Sequence, residues 1–331
     1  MNILVPIGVL SQDPAPKLEM ALSLGTEREI WAERRRIMER RRHDVGPDGT
    51  RSHWRSVLFG LGVRAFAIAA GLCGLYRPGR RNALAPRLVE LDFFFPDLPP
   101  AFDGYRILHL SDTHLDCLPE LAQVAAGMLS GLEVDLVALT GDIHGRHRAP
   151  LGHSVSPLAT MLEGLRVRDE RLGVLGNHDP ADMADALERL GFTVLINGSI
   201  SLRRADQQIV VTGLDDVHRF YTAAASRALA DAPPGFRVAL VHSAEMADHA
   251  EAAAYSLYLC GHTHGGQLCL PNGRPIVTLL RRCRFGARGE WRWGRMIGYT
   301  SHGLGVSGVP LRYNCPGEMA IITLRRQGPE G

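Results

Sequence analysis

The 331-residue sequence contains no C-x-x-C pair; its six cysteines, Cys73, Cys117, Cys260, Cys269, Cys283 and Cys315, stand singly. That spacing argues against a structural zinc site, and a disulfide framework does not suit a chain this large. A net charge of only +2 supplies no global field for nucleic acid. Internal repeats and low-complexity tracts are also missing. What remains is ordinary globular composition, 45% hydrophobic and 22% charged, in a chain long enough to bury a full core.

The charge is uneven along the chain. Arg34, Arg35, Arg36, Arg40, Arg41 and Arg42 form a basic run in a stretch with helical character from Lys17 to Arg42. Such a run reads as a solvated helix face or an arm, so residues 1–50 are expected to be a poorly ordered basic arm. Residues 51–81 follow as an apolar, membrane-associating helix. From Val57 to Leu75, 19 residues are apolar or small except Arg64. That length can cross a bilayer core, but a central arginine costs about 2.5–3.5 kcal/mol on insertion scales. The segment therefore reads as a marginal span or an interfacial helix. Arg51, Arg55, Arg77, Arg80 and Arg81 flank it on both sides, which suits anionic headgroups and leaves orientation undecided. Residues 82–104, with the turn-rich "PDLPPAFDG", read as a linker.

From 105 to 326 the pattern is that of one domain. Short apolar runs, "YRILHLSD", "VDLVALTGD", "RLGVLGNHD", "RVALVHS" and "LYLCGHTH", read as buried strands. Helix-like stretches separate them at Pro119–Leu132, Val155–Val167, Pro180–Leu190 and Ala244–Ala254. "FTVLI", "QIVVTGL", "MIGYTS" and "EMAIITL" add further strands. Asp179-Pro180 has the form of a helix cap with proline at the first helical position. Alternating strands and helices predict an α/β sheet.

Each of the five runs ends in metal-ligand chemistry. Asp112 and His114 follow the first, Asp142 the second, Asn177, His178 and Asp179 the third, His242 the fourth, and His262 and His264 the fifth. Open α/β sheets bind ligands beyond the carboxyl ends of their strands, so these residues are expected in one cleft. Buried together and unpaired, the charges would cost several kcal/mol, on the order of isolated ions; two divalent cations resolve that cost. Mixed carboxylate, amide and imidazole donors suit Mn²⁺, with Fe or Zn²⁺ as alternatives, better than Mg²⁺ or Ca²⁺. Such a pair activates a water for in-line displacement at phosphorus.

The ordered series "SDTHLD", "LTGDIHG", "GNHD", "VHS" and "GHTHGGQ" resembles the calcineurin-like metallophosphoesterase superfamily. "GHTHGGQLCLP" and "TSHGLGVSGVPLRYNCPGEMAIITL" resemble its bacterial YkuE-like branch. The resemblance implies a four-layer αββα sandwich with two mixed β-sheets. By similarity Asp112, His114 and His264 would bind one metal, Asp142 would bridge, and Asn177, His242 and His262 would bind the other. His178 would stabilise charge on the phosphoryl group or protonate the leaving oxygen, and Asp179 would orient His178. "HSAE" departs from the branch, where many relatives carry proline before the acidic residue. The stretch Leu270 to Arg295 also looks individual, carrying Arg281, Arg282, Arg284, Arg288, Arg292 and Arg295 with Trp291 and Trp293.

The implied activity is phosphodiester or pyrophosphate hydrolysis, with a phosphoester substrate, in one version the lipid-linked nucleotide UDP-2,3-diacylglucosamine of lipid A synthesis. The implied location is the bacterial inner membrane surface, with the catalytic domain on the cytoplasmic side. A soluble-substrate phosphodiesterase or phosphomonoesterase would use the same metal centre. A nuclease is disfavoured because no basic track with interleaved aromatics runs through the motifs, and no nucleic-acid partner is expected. A non-catalytic metal scaffold is disfavoured because every ligand and His178 are present.

Overall fold

Alternation along the apolar runs decides which face each side chain takes. In the strand Tyr105–Leu110, Ile107 points to one side and Leu108 and Leu110 to the other; in Glu133–Thr140, Leu136 and Ala138 oppose Val137 and Leu139. All are buried, as strands between two apolar layers must be. The computed structural model describes residues 26–41, 43–52, 54–146 and 149–328.

In chain order the first elements are α1 (Glu27–Arg40), β1 (His43–Gly46), β2 (Gly49–Ser52), α2 (Trp54–Leu72), α3 (Tyr76–Ala83), β3 (Arg87–Phe95) and β4 (Tyr105–Leu110). Then come α4 (Glu120–Leu129), β5 (Glu133–Thr140), α5 (Gly152–Leu162), β6 (Arg166–Val174), α6 (Met183–Arg189), β7 (Thr193–Val194), β8 (Gly198–Arg204) and β9 (Gln207–Gly213). The last are α7 (Ala223–Ala230), β10 (Phe236–Leu240), α8 (Ala247–Ala252), β11 (Leu257–Cys260), β12 (Gly289–Trp293), β13 (Met296–Thr300) and β14 (Glu318–Arg326).

Two six-stranded mixed sheets result, ordered β3-β14-β4-β5-β6-β7 and β12-β13-β11-β10-β9-β8. Their facing sides share one apolar layer that includes Ile107, Leu136, Val174, Val211, Val238 and Leu259. Helices α4, α5 and α6 cover the outer face of the first sheet through Leu121, Leu158, Met161 and Leu187. Helices α7 and α8 cover the second through Leu229, Ala247 and Ala250. The expected αββα order holds. Strands β4, β5 and β6 run parallel in one sheet, and β9, β10, β11 and β13 in the other.

Two expectations need correction before residue 105. The basic arm is helical from Glu27 to Arg40; the earlier part of the expected helix, from Lys17, lies outside the described residues. Thr26 caps α1 with a reciprocal box: its hydroxyl accepts from Glu29 N at 3.2 Å, and the Glu29 carboxylate accepts from Thr26 N at 2.7 Å. Its basic run is not all solvated, because Arg35 is only 2% exposed. Residues 82–104 are not a plain linker either. Strand β3 pairs in parallel with β14 along its full length, from Arg87 opposite Glu318 to Phe95 opposite Arg326. As an edge strand it buries Phe93 and Phe95 and leaves Phe94 outward, a weak apolar signal beside the prolines that follow. No helix among the described residues is long and apolar enough to cross a membrane, which leaves the interfacial alternative for the apolar segment. Helix α2 lays Val63, Ala67 and Ala70 against Leu268, Val309 and Leu311, while Ile68 and Leu72 stay 67% and 85% exposed.

Candidate metal centre

All seven expected ligands lie on turns that leave strands β4, β5, β6, β10 and β11 at their carboxyl ends. The two sheets thus contribute to one cleft from both sides. The local chain is bent hard to do this. Asp112, His114, Asp142, His262 and His264 all have positive φ, between 37° and 72°. Non-glycine residues in that region cost about 1–3 kcal/mol each and concentrate where surrounding structure forces a functional geometry. Glycines supply the remaining closeness. A Cβ on Gly176 would lie 2.2 Å from Asp142 Oδ1, and one on Gly261 would lie 2.1 Å from Asp112 Oδ2.

The side chains meet in two overlapping groups. Asp112, His114 and His264 present ligand atoms within 4.8 Å of one another, and so do Asp112, Asp142 and His242. The groups share Asp112, and Asp142 Oδ2 lies between two of their histidines, 3.6 Å from His114 Nε2 and 3.3 Å from His242 Nε2. Asn177 Oδ1 lies 3.1 Å from His242 Nε2 and 2.8 Å from His262 Nδ1. His264 Nε2 lies 3.4 Å from Asp112 Oδ1. His114 Nε2 is buried in this cluster with no hydrogen-bond partner. A buried, unsatisfied imidazole nitrogen aimed among carboxylates is what a cation would satisfy, so the donor set fits two divalent ions.

The far sides of the rings fix their orientation. His114 Nδ1 pairs with the His144 carbonyl at 3.0 Å, and His242 Nδ1 with the Thr140 carbonyl at 2.8 Å. Donation from each Nδ1–H leaves Nε2 as the acceptor facing the cleft. Electrostatics favour an ionised Asp142 and neutral His262 and His264, whereas the carboxylates beside His242 hold a proton on it that a cation would displace. Burial would raise the Asp142 carboxyl, but the imidazoles of His242, His178 and His114 outweigh it and hold the group well below its ordinary range. Burial would lower His242, yet Asp142 and Asp112 lift it to about 10. His262 and His264 are driven well below the usual imidazole range by burial and by neighbouring imidazoles. An ionised Asp142 beside neutral His262 and His264 has the protonation that cation binding requires.

His178 stands at the edge of the group. Its backbone N–H donates to Asp142 Oδ1 at 2.8 Å, and its ring lies 5.3 Å from that of His114. Asp179 takes a different part from the expected one. Its carboxylate accepts the backbone N–H groups of Asp142, Ile143, His144 and Gly176 at 2.7–2.9 Å. It does not cap α6, which begins after Asp182; it locks the β5 and β6 turns together. Burial, then the Asp142 charge, raises its carboxyl to about 6.

Several supporting residues carry no motif-like signal. Arg312 is fully buried and donates to the carbonyls of His264, His302, Gly303, Gly305 and Cys315. Asp116 accepts Gly145 N and Arg146 N at 2.8 Å, closing the turn after Asp142. In the individual stretch, Trp291 is buried and donates to Thr300 Oγ1 at 2.9 Å, whereas Trp293 stacks on Phe285 at the surface.

A family model for the calcineurin-like phosphoesterase superfamily domain matches residues 105–269. Over 240 residues, 69% of this chain and 82% of the relative, the sequence is 33% identical to the metallophosphoesterase YkuE of Bacillus subtilis (strain 168). The chain belongs to the calcineurin-like phosphoesterase superfamily. It is a metal-dependent phosphoester hydrolase of that family. This phosphoesterase is also 28% identical to the phosphodiesterase YaeI of Escherichia coli (strain K12) over 245 residues, 71% of this chain and 86% of that one. A Danio rerio transmembrane protein with a metallophosphoesterase domain is 26% identical over 300 residues, 82% of this chain and 63% of that protein.

Proposed function

We propose that this phosphoesterase hydrolyses a phosphodiester or pyrophosphate bond with two divalent cations, Mn²⁺ first and Fe or Zn²⁺ as alternatives, at a membrane surface. The position of Asp142 Oδ2 between His114 and His242 carries the reading. Asp112, His114 and His264 would hold the first cation, Asn177, His242 and His262 the second, and Asp142 both. When bound, the cations supply Lewis-acid charge to phosphoryl oxygens and acidify a water. The chain's own residues set the rest. The Thr140 and His144 carbonyls hold two ligand rings in one tautomer, and Asp179 keeps the turns in register. The His178 imidazole faces the space beside His114, where it stabilises charge on the phosphoryl oxygens or gives a proton to the leaving oxygen.

The surface supports a lipid-linked substrate. Helix α2 turns Leu61, Phe66, Ile68 and Leu72 outward, and the loop after β11 exposes Ile276, Val277 and Leu279. Next to the end of α2, Tyr76, Arg77, Arg80, Arg81 and Leu84 line a basic groove. Apolar contact plus arginines is the chemistry of an interfacial helix on an anionic bilayer. We place the domain on the cytoplasmic face of the inner membrane, with UDP-2,3-diacylglucosamine as the substrate class. The test compares hydrolysis of that lipid, bis(p-nitrophenyl) phosphate and p-nitrophenyl phosphate by the full chain with Mn²⁺. Preference for the monoester would overturn the diester reading, and indifference to the lipid would overturn the lipid substrate. In His178→Ala, turnover should fall about 10²–10⁴-fold with both cations retained; unchanged turnover would remove His178 from the chemistry.

A further inference from the structure

We infer that Arg35, on the helix that precedes the catalytic domain, is a positioning residue for Asn177 at the second cation. The inference rests on the two-cation reading above. Arg28, Trp31, Arg35 and Glu39 lie on one face of α1 at helical spacing, and every one of them touches the domain. Arg28 pairs with Glu188 at 2.9 Å, the Trp31 indole donates to Asp215 Oδ2 at 2.7 Å, and the Glu39 carboxylate accepts Ala181 N at 2.8 Å. Arg35 goes deepest. Its Nη1 pairs with the Asp215 carboxylate, and its plane lies 4.1 Å from the Phe220 ring. Its Nη2 donates to the carbonyls of Gly176 and Asp179, both at 2.8 Å.

Those two carbonyls flank Asn177 and His178. One guanidinium nitrogen therefore ties both ends of the turn whose Asn177 Oδ1 lies 3.1 Å from His242 and 2.8 Å from His262. Burying a guanidinium is costly unless it is paired and hydrogen-bonded; here Asp215 and the two carbonyls serve both terminal nitrogens, and among the described residues Nε faces only the Glu39 carboxylate, at 3.6 Å. A lysine ammonium would keep the charge on Asp215 but lacks the planar fork that serves carboxylate and carbonyls at once. Neighbouring Arg36 gives a contrast: its pair with Asp182, at 2.7 Å, lies on the surface.

The test uses the full chain as wild type, Arg35→Ala, Arg35→Lys and Arg36→Ala. Mn²⁺ binding is followed by titration calorimetry and turnover by bis(p-nitrophenyl) phosphate hydrolysis. Arg35→Ala and Arg35→Lys should keep the first cation and weaken the second by about 10–100-fold, the effect of losing an outer-shell partner. Arg36→Ala should match wild type. General destabilisation would weaken both cations alike, and that result, or unchanged affinity for the second cation, overturns the inference whatever happens to turnover. If Arg35→Ala does not fold, Arg35→Lys decides on the same criterion. A wild-type chain that binds fewer than two cations refutes the two-cation reading itself, an outcome visible before any variant is compared.

Discussion

Replacing Gly176 by alanine isolates the close packing of the metal-binding turns from their chemistry. The new Cβ would lie 2.2 Å from Asp142 Oδ1, 2.4 Å from Asp142 N and 2.7 Å from Asp142 Cγ. Carbon contacts relax near 3.5 Å, so one turn must shift by about 1 Å. Overpacking of that kind costs about 1–3 kcal/mol. The functional cost is larger, because the moving parts are Asp142 and Asn177, and a 1 Å misplacement costs about 10²-fold in rate. Gly173→Ala, on strand β6 just before that turn, is the control: its Cβ would meet only Leu187 and Phe192, at an ordinary 3.6 Å. Turnover of bis(p-nitrophenyl) phosphate at saturating Mn²⁺ should fall about 10²-fold in Gly176→Ala and stay near wild type in Gly173→Ala. Gly176→Ala turnover within threefold of wild type would refute the packing argument.

Other perturbations give further checks. Arg312→Met leaves five loop carbonyls without their donor; a loss of about 3–5 kcal/mol should lower the Tm by scanning calorimetry by roughly 5–10 °C, together with activity. His109 is fully buried against Thr140 Oγ1 at 2.8 Å, and burial pushes its imidazole down to about 3. The unfolded chain takes that proton below about pH 6.5 and the native one does not, so the group's stability is intact above pH 6.5 and lost as pH falls towards 3. By pH 5 the loss is about 2 kcal/mol, and His109→Gln should flatten the acid limb of a urea-denaturation series by that amount.

Much of the centre was legible because strand and chemistry adjoin in the sequence. In "LYLCGHTHGG" an apolar run buries itself and its end must turn, so His262 and His264 fall where β11 leaves the sheet. The same logic reached Asp112, Asp142, Asn177 and His242. It failed where a residue acts against its usual class. Arg35 is satisfied by a carboxylate and carbonyls distant in the chain and Arg312 chiefly by carbonyls of its own loop, and no local pattern separates either from a solvated arginine. Asp179 precedes a proline and so reads as a cap, yet its carboxylate turns back to serve four backbone donors on two strands' turns. Strand β3 was missed because an edge strand buries only alternate residues and "PDLPPAFDG" follows at once. For α2, length and apolarity could not distinguish crossing a bilayer from lying along Leu268, Val309 and Leu311, which only the fold brings beneath it.

Cation stoichiometry tests the central claim most directly. Elemental analysis of the metal-replete full chain, repeated on Asp142→Asn, asks whether one carboxylate joins two ions. The account predicts two divalent cations per wild-type chain and a variant, still folded by circular dichroism, that holds no more than one tightly. A folded wild-type chain with one cation or none, or an Asp142→Asn chain that keeps both at wild-type affinity, would contradict it.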